Sequence, residues 1–478
     1  MNTRIDNPAV VLQRAGLANT QRTVVKSVRG ESNVKKSVLS VAVLACIAGA
    51  GFASVAHAAD DQSLTWNGVT LYGTYDVGVA YQSHGAPLSQ DFYTGLQYLI
   101  TKSSDKSITS IAPSGLSQTK VGLRGNEKIN DDLAFVFNGE IGFNPQSGTL
   151  ADAPRSLIHN NGVALANQKT AGDGSRAGQL FNGQAWAGLS SKEWGTLTFG
   201  RHVTLLGENI VKYDPMNGSY AFSPIGYSGM TGGMGNTEDV RLDDSVKYVW
   251  KHDMFHLGAM YQFGKSDSSP GEAWQGDFGF DYAGFGVDGI FGHKKDALAV
   301  GSLSAAQVSS GLPIDSLAAT VSDNTSYTLL ASYQTGPFKV SAGFEHIKYE
   351  NPSLPLTVPF SGLGGYYISV LNNAAFPRDK KVDVSWIGLK YLITPDLDIT
   401  GAVYNYDQDS YALVSCSTKS SGQCSGKLWA YSARLDYRLT KRFDVYAGAM
   451  YSKVEDGLAN GYLKTNTVDP MIGFRFQF

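Results

Sequence analysis

The chain ends in Thr467-Val-Asp-Pro-Met-Ile-Gly-Phe-Arg-Phe-Gln-Phe478. Val468, Pro470, Ile472, Phe474, Phe476 and Phe478 share one parity, and Thr467, Asp469, Met471, Gly473, Arg475 and Gln477 the other. An extended strand here therefore has one apolar and one polar face. The edge of a soluble sandwich can carry such a run, because a short alternation is a weak signal by itself. A membrane β-barrel requires it on every strand, since lipid-facing and interior-facing residues alternate. The two readings separate on whether the rest of the chain repeats the pattern.

It does. In residues 68–82, Val69, Leu71, Tyr75, Val77, Val79 and Tyr81 form an apolar face, opposed by Thr70, Thr74, Asp76 and Gln82. In residues 429–439, Trp429, Tyr431, Leu435, Tyr437 and Leu439 oppose Arg434, Asp436 and Arg438. An arginine facing lipid near mid-membrane costs roughly 2–4 kcal/mol, so the charged face must be a wet interior. Asp76, Arg434, Asp436 and Arg438 are thus expected on a lumen wall. Short turns at 128–132, 191–195, 252–254, 283–284, 336–337, 394–396 and 440–441 alternate with longer connections. The latter fall at 83–116, 144–181, 203–240, 264–273, 295–323, 351–379, 408–426 and 455–465. This spacing predicts an all-β chain of sixteen antiparallel strands closed into a transmembrane barrel, with short periplasmic turns and long extracellular loops. The last strand would then pair with the first and leave no sheet edge. Trp66, Trp186, Trp250, Tyr391 and Trp429 stand near strand ends, where interfacial girdles are built. Propeller blades would need more regular spacing.

Composition agrees with one large β unit. The 478 residues include 54 Gly, 25 Tyr and 22 Phe, without a Pro-rich linker. Past the N-terminal region no apolar run reaches the roughly 18 residues of a membrane helix. At the N-terminus, Lys35-Lys36 precedes a nearly uncharged stretch from Ser37 to Phe52 and an Ala56-His57-Ala58 cleavage pattern. We read 34–58 as a signal peptide for Sec export, 59–478 as the barrel, and 1–33 as an N-terminal extension ahead of a true start at Val34. Val43-Leu-Ala-Cys46 resembles a lipoprotein box, but cleavage there would truncate the apolar segment.

Residues 1–58 hold seven of the 39 basic residues and two of the 42 acidic ones, leaving 32 against 40 and a formal charge of −8. No basic face for a nucleic-acid partner is expected. Cys416 and Cys424 lie in a polar stretch and would form a disulfide in an oxidising compartment, worth roughly 2.5 kcal/mol. Two cysteines without a nearby histidine do not fill a zinc site, and no cofactor or metal is expected.

In order and spacing, several segments resemble the general porins of Gram-negative outer membranes: Val69-Thr-Leu-Tyr-Gly73, Lys120-Val-Gly-Leu-Arg-Gly125 with Glu127, Phe181-Asn-Gly-Gln-Ala-Trp-Ala-Gly-Leu189, Gly195-Thr-Leu-Thr-Phe-Gly-Arg-His202, Arg241-Leu-Asp-Asp-Ser-Val-Lys-Tyr248 and the terminal Phe478. The resemblance implies a homotrimer in outer-membrane lipid and lipopolysaccharide, inserted by the β-barrel assembly machinery with Phe478 as its signal. It also implies a third loop folded into each pore. Basic wall residues (Lys120, Arg124, Arg201, Arg241) would face acidic loop residues (Glu208, Asp214, Glu238, Asp239) across a constriction. Alternation independently puts Lys120, Arg124 and Arg241 on polar faces. Arg201 shares parity with Leu197 and Phe199, and reaches the lumen only if Gly200 forms a bulge or the strand has ended. The loop carries Gly226-Tyr-Ser-Gly-Met-Thr-Gly-Gly-Met-Gly235 where enteric members carry Pro-Glu-Phe-Gly-Gly, and each acid is equally readable as a solvated loop position.

The function implied is a passive, weakly selective diffusion channel for small hydrophilic solutes, with the charge of −8 favouring cations. One alternative is a substrate-specific porin with an aromatic track for a sugar or organic acid. Another is a barrel enzyme, but His84, His159, His202, His252, His256, His293 and His346 are scattered outside any nucleophile motif. His252 and His256 are four apart yet flank a turn.

Overall fold

In the computed structural model the residues described are 64–92, 98–227, 240–264, 271–358, 360–361 and 363–478. Residues 1–58, with the expected extension and signal peptide, lie outside them. Sixteen antiparallel strands close into a barrel. They are β1 Val69–Gly85, β2 Lys120–Lys128, β3 Leu133–Gly142, β4 Ala185–Ser191, β5 Gly195–Val203, β6 Arg241–His252, β7 Phe255–Gln262 and β8 Ala273–Tyr282. The second half is β9 Phe285–Gly301, β10 Leu317–Thr335, β11 Phe338–Glu350, β12 Lys380–Thr394, β13 Leu397–Gln408, β14 Gly426–Arg438, β15 Phe443–Asp456 and β16 Asn466–Gln477. Each pairs with its sequence neighbour, and β16 pairs back onto β1 from Thr74↔Gln477 to Ala80↔Met471. Among the described residues no helix is long and apolar enough to cross a membrane.

Side-chain exposure follows the alternation. Tyr75, Val79, Tyr81, Tyr431, Leu435, Phe474 and Phe476 point outward, while Thr74, Asp76, Gln82, Arg434, Asp436 and Asp469 are buried inside. Phe478 extends the seam by one step: its N–H donates to Gly73 O (3.1 Å) and its carbonyl accepts from Gly73 N (2.9 Å). Its ring lies over Gly73, where any Cβ would collide with it, so the terminal aromatic fills the gap left by a glycine on the neighbouring strand. Deleting Phe478 is expected to reduce the amount of assembled surface barrel more than it changes the conductance of barrels that form. Undiminished assembly, scored by heat-modifiable migration and surface labelling, would contradict this.

Three local expectations are corrected. The loop expected at 295–323 spans only 302–316, because β9 and β10 run to 17 and 19 residues. A bulge between Lys294 and Ala297, with Asp296 at φ 52°, absorbs the break in alternation and lets the ladder resume at Ala297↔Ser322. Leu298, Val300, Leu317, Ala319 and Val321 then bury one another with Ile368. Trp186 is not a girdle residue: it shares parity with Gly188 and Ser190, opposite the exposed Leu189, and stacks on the buried His202 with ring centroids 6.0 Å apart. The first loop is not a simple excursion either. It contains a strand, Lys106–Pro113, paired with the upper part of β1, and it buries Tyr98, Leu99, Ile100 and Leu116 in the same apolar cluster as Tyr446, Met450 and Val454 of β15. In the seventh loop Cys416 and Cys424 form a disulfide (S–S 2.10 Å).

The third loop enters the barrel. Its helix α1, Leu205–Tyr213, is capped by Thr204, whose hydroxyl accepts from Gly207 N. Leu206, Ile210, Tyr213, Met216, Phe222 and Ile225 are buried in one cluster with Ile290, Leu330, Ile347, Val384, Trp386 and Tyr404, all on β9 to β13. An apolar wall on that side is what draws the loop inward.

Candidate pore-lining site

One polar wall is built on β1 to β6. Tyr72 faces inward on β1 and lies where a side chain at Gly122 would otherwise stand. Its ring sits between Lys120 (Nζ 5.9 Å from the centroid) and Arg124 (Cζ 5.4 Å). The Tyr72 hydroxyl donates to Asn138 Oδ1 at 2.7 Å. Lys120 donates to Glu140 Oε2 at 2.6 Å, and the buried Glu140 also accepts from Arg176 Nη2 at 3.1 Å. Arg176 comes from the second loop and is only 1% exposed; Gly142 leaves the room it occupies. Its Nη1 donates to Asn182 Oδ1 (2.9 Å).

Arg201 joins this wall through the bulge that its parity demanded. Gly200 sits at φ 135° and the β5–β6 register shifts between Gly200 and His202, so Arg201 and His202 are both buried. Arg201 donates to Asp243 Oδ1 (2.6 Å), Ser175 O (2.6 Å) and Asn182 O (2.9 Å), and Arg241 Nη1 reaches Ser175 Oγ (3.3 Å). Arg201 and Arg241 thus converge on one short stretch of the second loop, 175–182, which its own Arg176 ties to Glu140 and so to Lys120. Glu140 was legible as an inward position on an alternating strand. Arg176 and Asn182 were not, since a loop has no periodicity.

The acidic residues named from the sequence separate. Glu208 is on α1, half-exposed, and pairs with Lys247 of β6 at 2.7 Å. Asp214 is 1% exposed and anchors the loop: it accepts from Tyr404 O–H (2.6 Å), Gly218 N (2.6 Å) and Met216 N (3.3 Å). Burial pushes its carboxyl above the ordinary range, and the Tyr404 hydrogen bond opposes that shift. Glu238 and Asp239 lie outside the described residues.

Of the other named wall residues, Asp76 and Arg434 hold loops in place. Asp76 accepts from Gly115 N (3.0 Å), Leu116 N (2.8 Å), Ser117 N (2.9 Å) and Tyr446 O–H (2.7 Å). Arg434 donates to Met216 O (3.2 Å) at the base of the third loop. Arg438 donates to Asp398 Oδ2 (2.6 Å), which also pairs with Lys390 (3.1 Å). Asp436 is buried beside them. The barrel thus encloses two inward-folded loops packed on apolar wall, facing a wall of fixed charges. Such an arrangement narrows a water-filled passage and imposes a field across it.

The model of a family described as Gram-negative porin matches residues 41–457. An outer membrane porin protein of Bordetella pertussis is 28% identical over 235 residues, and the chain spans about half the length of this curated relative (49% of each). The anion-selective porin from Comamonas acidovorans superposes with a TM-score of 0.57 at 17% identity, covering 86% of this chain and 99% of that one. OmpT of Vibrio cholerae, in its trimer form, gives 0.53 at 14% identity, over 86% and 99%. OmpF of Salmonella typhi gives 0.50 at 16%, over 87% and 99%. A closed sixteen-strand sheet with loops drawn into its lumen, matched by a family model across most of its length, makes this chain a member of the Gram-negative porin family.

Proposed function

We propose that the chain is a passive, weakly selective diffusion channel for small hydrophilic solutes and ions. The observation that carries this reading is the unequal wall. Apolar side chains of the third loop occupy one side of the lumen, so solutes pass the other, where the barrel carries Lys120 beside Glu140, and Arg124, and where Glu208 of α1 pairs with Lys247 of β6. Charges of both signs border the path, which supports weak discrimination rather than exclusion of either ion. Lys120, Arg124, Arg201 and Arg241 set the basic side of the constriction. Glu208 is the described acid best placed on the other side, and Asp214 serves as the loop's anchor.

We further read the channel as a homotrimer seated in lipid and lipopolysaccharide, exported by Sec with removal of residues 34–58 and inserted by the barrel assembly machinery. The trimer form of the Vibrio cholerae protein supports that assembly by likeness of fold. The residues do not favour catalysis. His202 contacts Ser245 Oγ at 2.8 Å, but its other nitrogen meets Thr198 Oγ1 (2.8 Å) where a catalytic triad places a carboxylate. A sugar-specific reading draws on one observation, the ring sequence Tyr349, Phe376 and Tyr411, with centroids 6.1 and 5.9 Å apart.

The purified protein in a planar bilayer is expected to give ohmic conductance, three equal closing steps and a small reversal potential in a salt gradient, of the sign for cation preference. Saturable block by a single sugar or organic acid would replace the general reading with the specific one. No conductance at all would remove both.

A further inference from the structure

A second charged cluster lies on the lumen face of β7, β8 and β9, beneath α1 and apart from the wall just described. His256, Asp277 and Asp288 come from three successive strands, and their donor atoms all lie within 4.8 Å of one another. Two glycines make this possible. Gly279 of β8 is register partner to both His256 and Asp288, and a Cβ there would collide with Asp288 Oδ1 and with His256 Nε2. Gly258 of β7 is opposite Asp277, and a Cβ there would collide with Asp277 Oδ1. With both positions bare, side chains that would otherwise stand apart lean over a common cradle. His256 Nε2 is 2.5 Å from Asp288 Oδ1.

The cluster is short of cations. Among the described residues, Asp277, Asp281 and Asp288 have one direct lysine partner, Lys212 of α1, which lies 3.3 Å from both Asp281 and Asp288. Among the described residues Asp277 Oδ2 accepts from the neutral Asn209 (3.1 Å). Asp277 Oδ1 is buried and has no hydrogen-bond partner among the described residues. Behind the imidazole, Asp281 Oδ2 lies 3.8 Å from His256 Nδ1, on the side from which a carboxylate orients a metal-ligating histidine.

We propose that His256, Asp277 and Asp288 bind a divalent cation of the zinc class. One imidazole nitrogen and two carboxylate oxygens suit that ion, which takes three protein ligands at about 2.0–2.2 Å and leaves one position open to water. Lys212 is its competitor: the lysine now neutralises Asp288, and a bound ion takes over that role. The rival arrangement is His256 held between Asp288 and Asp281 as now, with no metal.

The test uses the full-length protein in detergent, stripped with chelator and titrated with zinc chloride by calorimetry. One zinc per chain is expected for the wild type, with affinity at least tenfold lower in His256→Ala and in Asp277→Asn. Lys212→Gln, on the loop helix rather than in the wall, is expected to bind zinc more tightly. Cobalt added to the wild type should give visible d–d absorption that zinc displaces. The proposal is overturned by a wild type that binds no zinc and gives no cobalt band. Equal zinc binding in a normally migrating His256→Ala, or a Lys212→Gln affinity at or below wild type, would likewise sink it.

Discussion

Replacing Glu140 with alanine is expected to lower the stability of the barrel by about 3–5 kcal/mol, the range for breaking a buried ion pair from one side. Glu140 is buried and bonded to two cations, Lys120 at 2.6 Å and Arg176 at 3.1 Å. Without it, Arg176 keeps its charge in a site from which water is excluded, with Asn182 as the remaining side-chain partner. The cost therefore comes from the arginine left behind. That account makes a second expectation: in Glu140→Ala combined with Arg176→Met much of the lost stability returns, because removing both partners of a buried pair is often close to neutral. Guanidinium unfolding of the refolded protein in detergent checks both. A double variant as unstable as the single one would mean that the second loop depends on something other than this pair. In the single variant the wall also loses a negative charge beside Lys120, so the reversal potential should move toward anions.

Asp76→Ala should be nearly as damaging, for a different reason. Its carboxylate is fully buried and accepts three consecutive backbone N–H groups from 115–117 and the Tyr446 hydroxyl. Each buried donor left without an acceptor costs about 1–3 kcal/mol, so a total of roughly 3 kcal/mol or more is expected. The damage should concentrate on the first loop, which turns back into the barrel at this point. Faster amide exchange at 115–117 and noisier single-channel current are the expected signs. Asp76→Asn retains one carbonyl acceptor and should fall between. Quiet channels with unchanged exchange in Asp76→Ala would show that the apolar contacts of Tyr98, Leu99 and Leu116 suffice to hold the loop.

Both predictions concern residues whose face, but not whose partners, could be read in advance. Asp76 and Glu140 are inward because they sit on alternating strands, and a strand's parity is a local property. That Asp76 would meet 115–117, or Glu140 meet Arg176, depends on where two loops return to the wall. Arg201 stands between these cases. Its parity was wrong for the lumen unless Gly200 bulged, and the bulge is there, at the one residue type that adopts φ 135° without strain. Trp186 shows the opposite failure: its position near a strand end invited a girdle assignment that its parity with Gly188 and Ser190 should have overruled.

The sequence by itself determined the barrel: the alternation, the seven tight turns, the inward side of each strand and the aromatic end that closes onto β1. These follow from the two-residue period of an extended chain, which any strand must obey wherever it lies. The tertiary structure alone decided what fills the barrel. It drew the first and third loops onto the apolar wall and brought Arg176 to Glu140. Across two bare glycines it also brought His256, Asp277 and Asp288 together. Those meetings depend on strand register and sheet curvature summed around the whole circumference, and no local pattern carries that information.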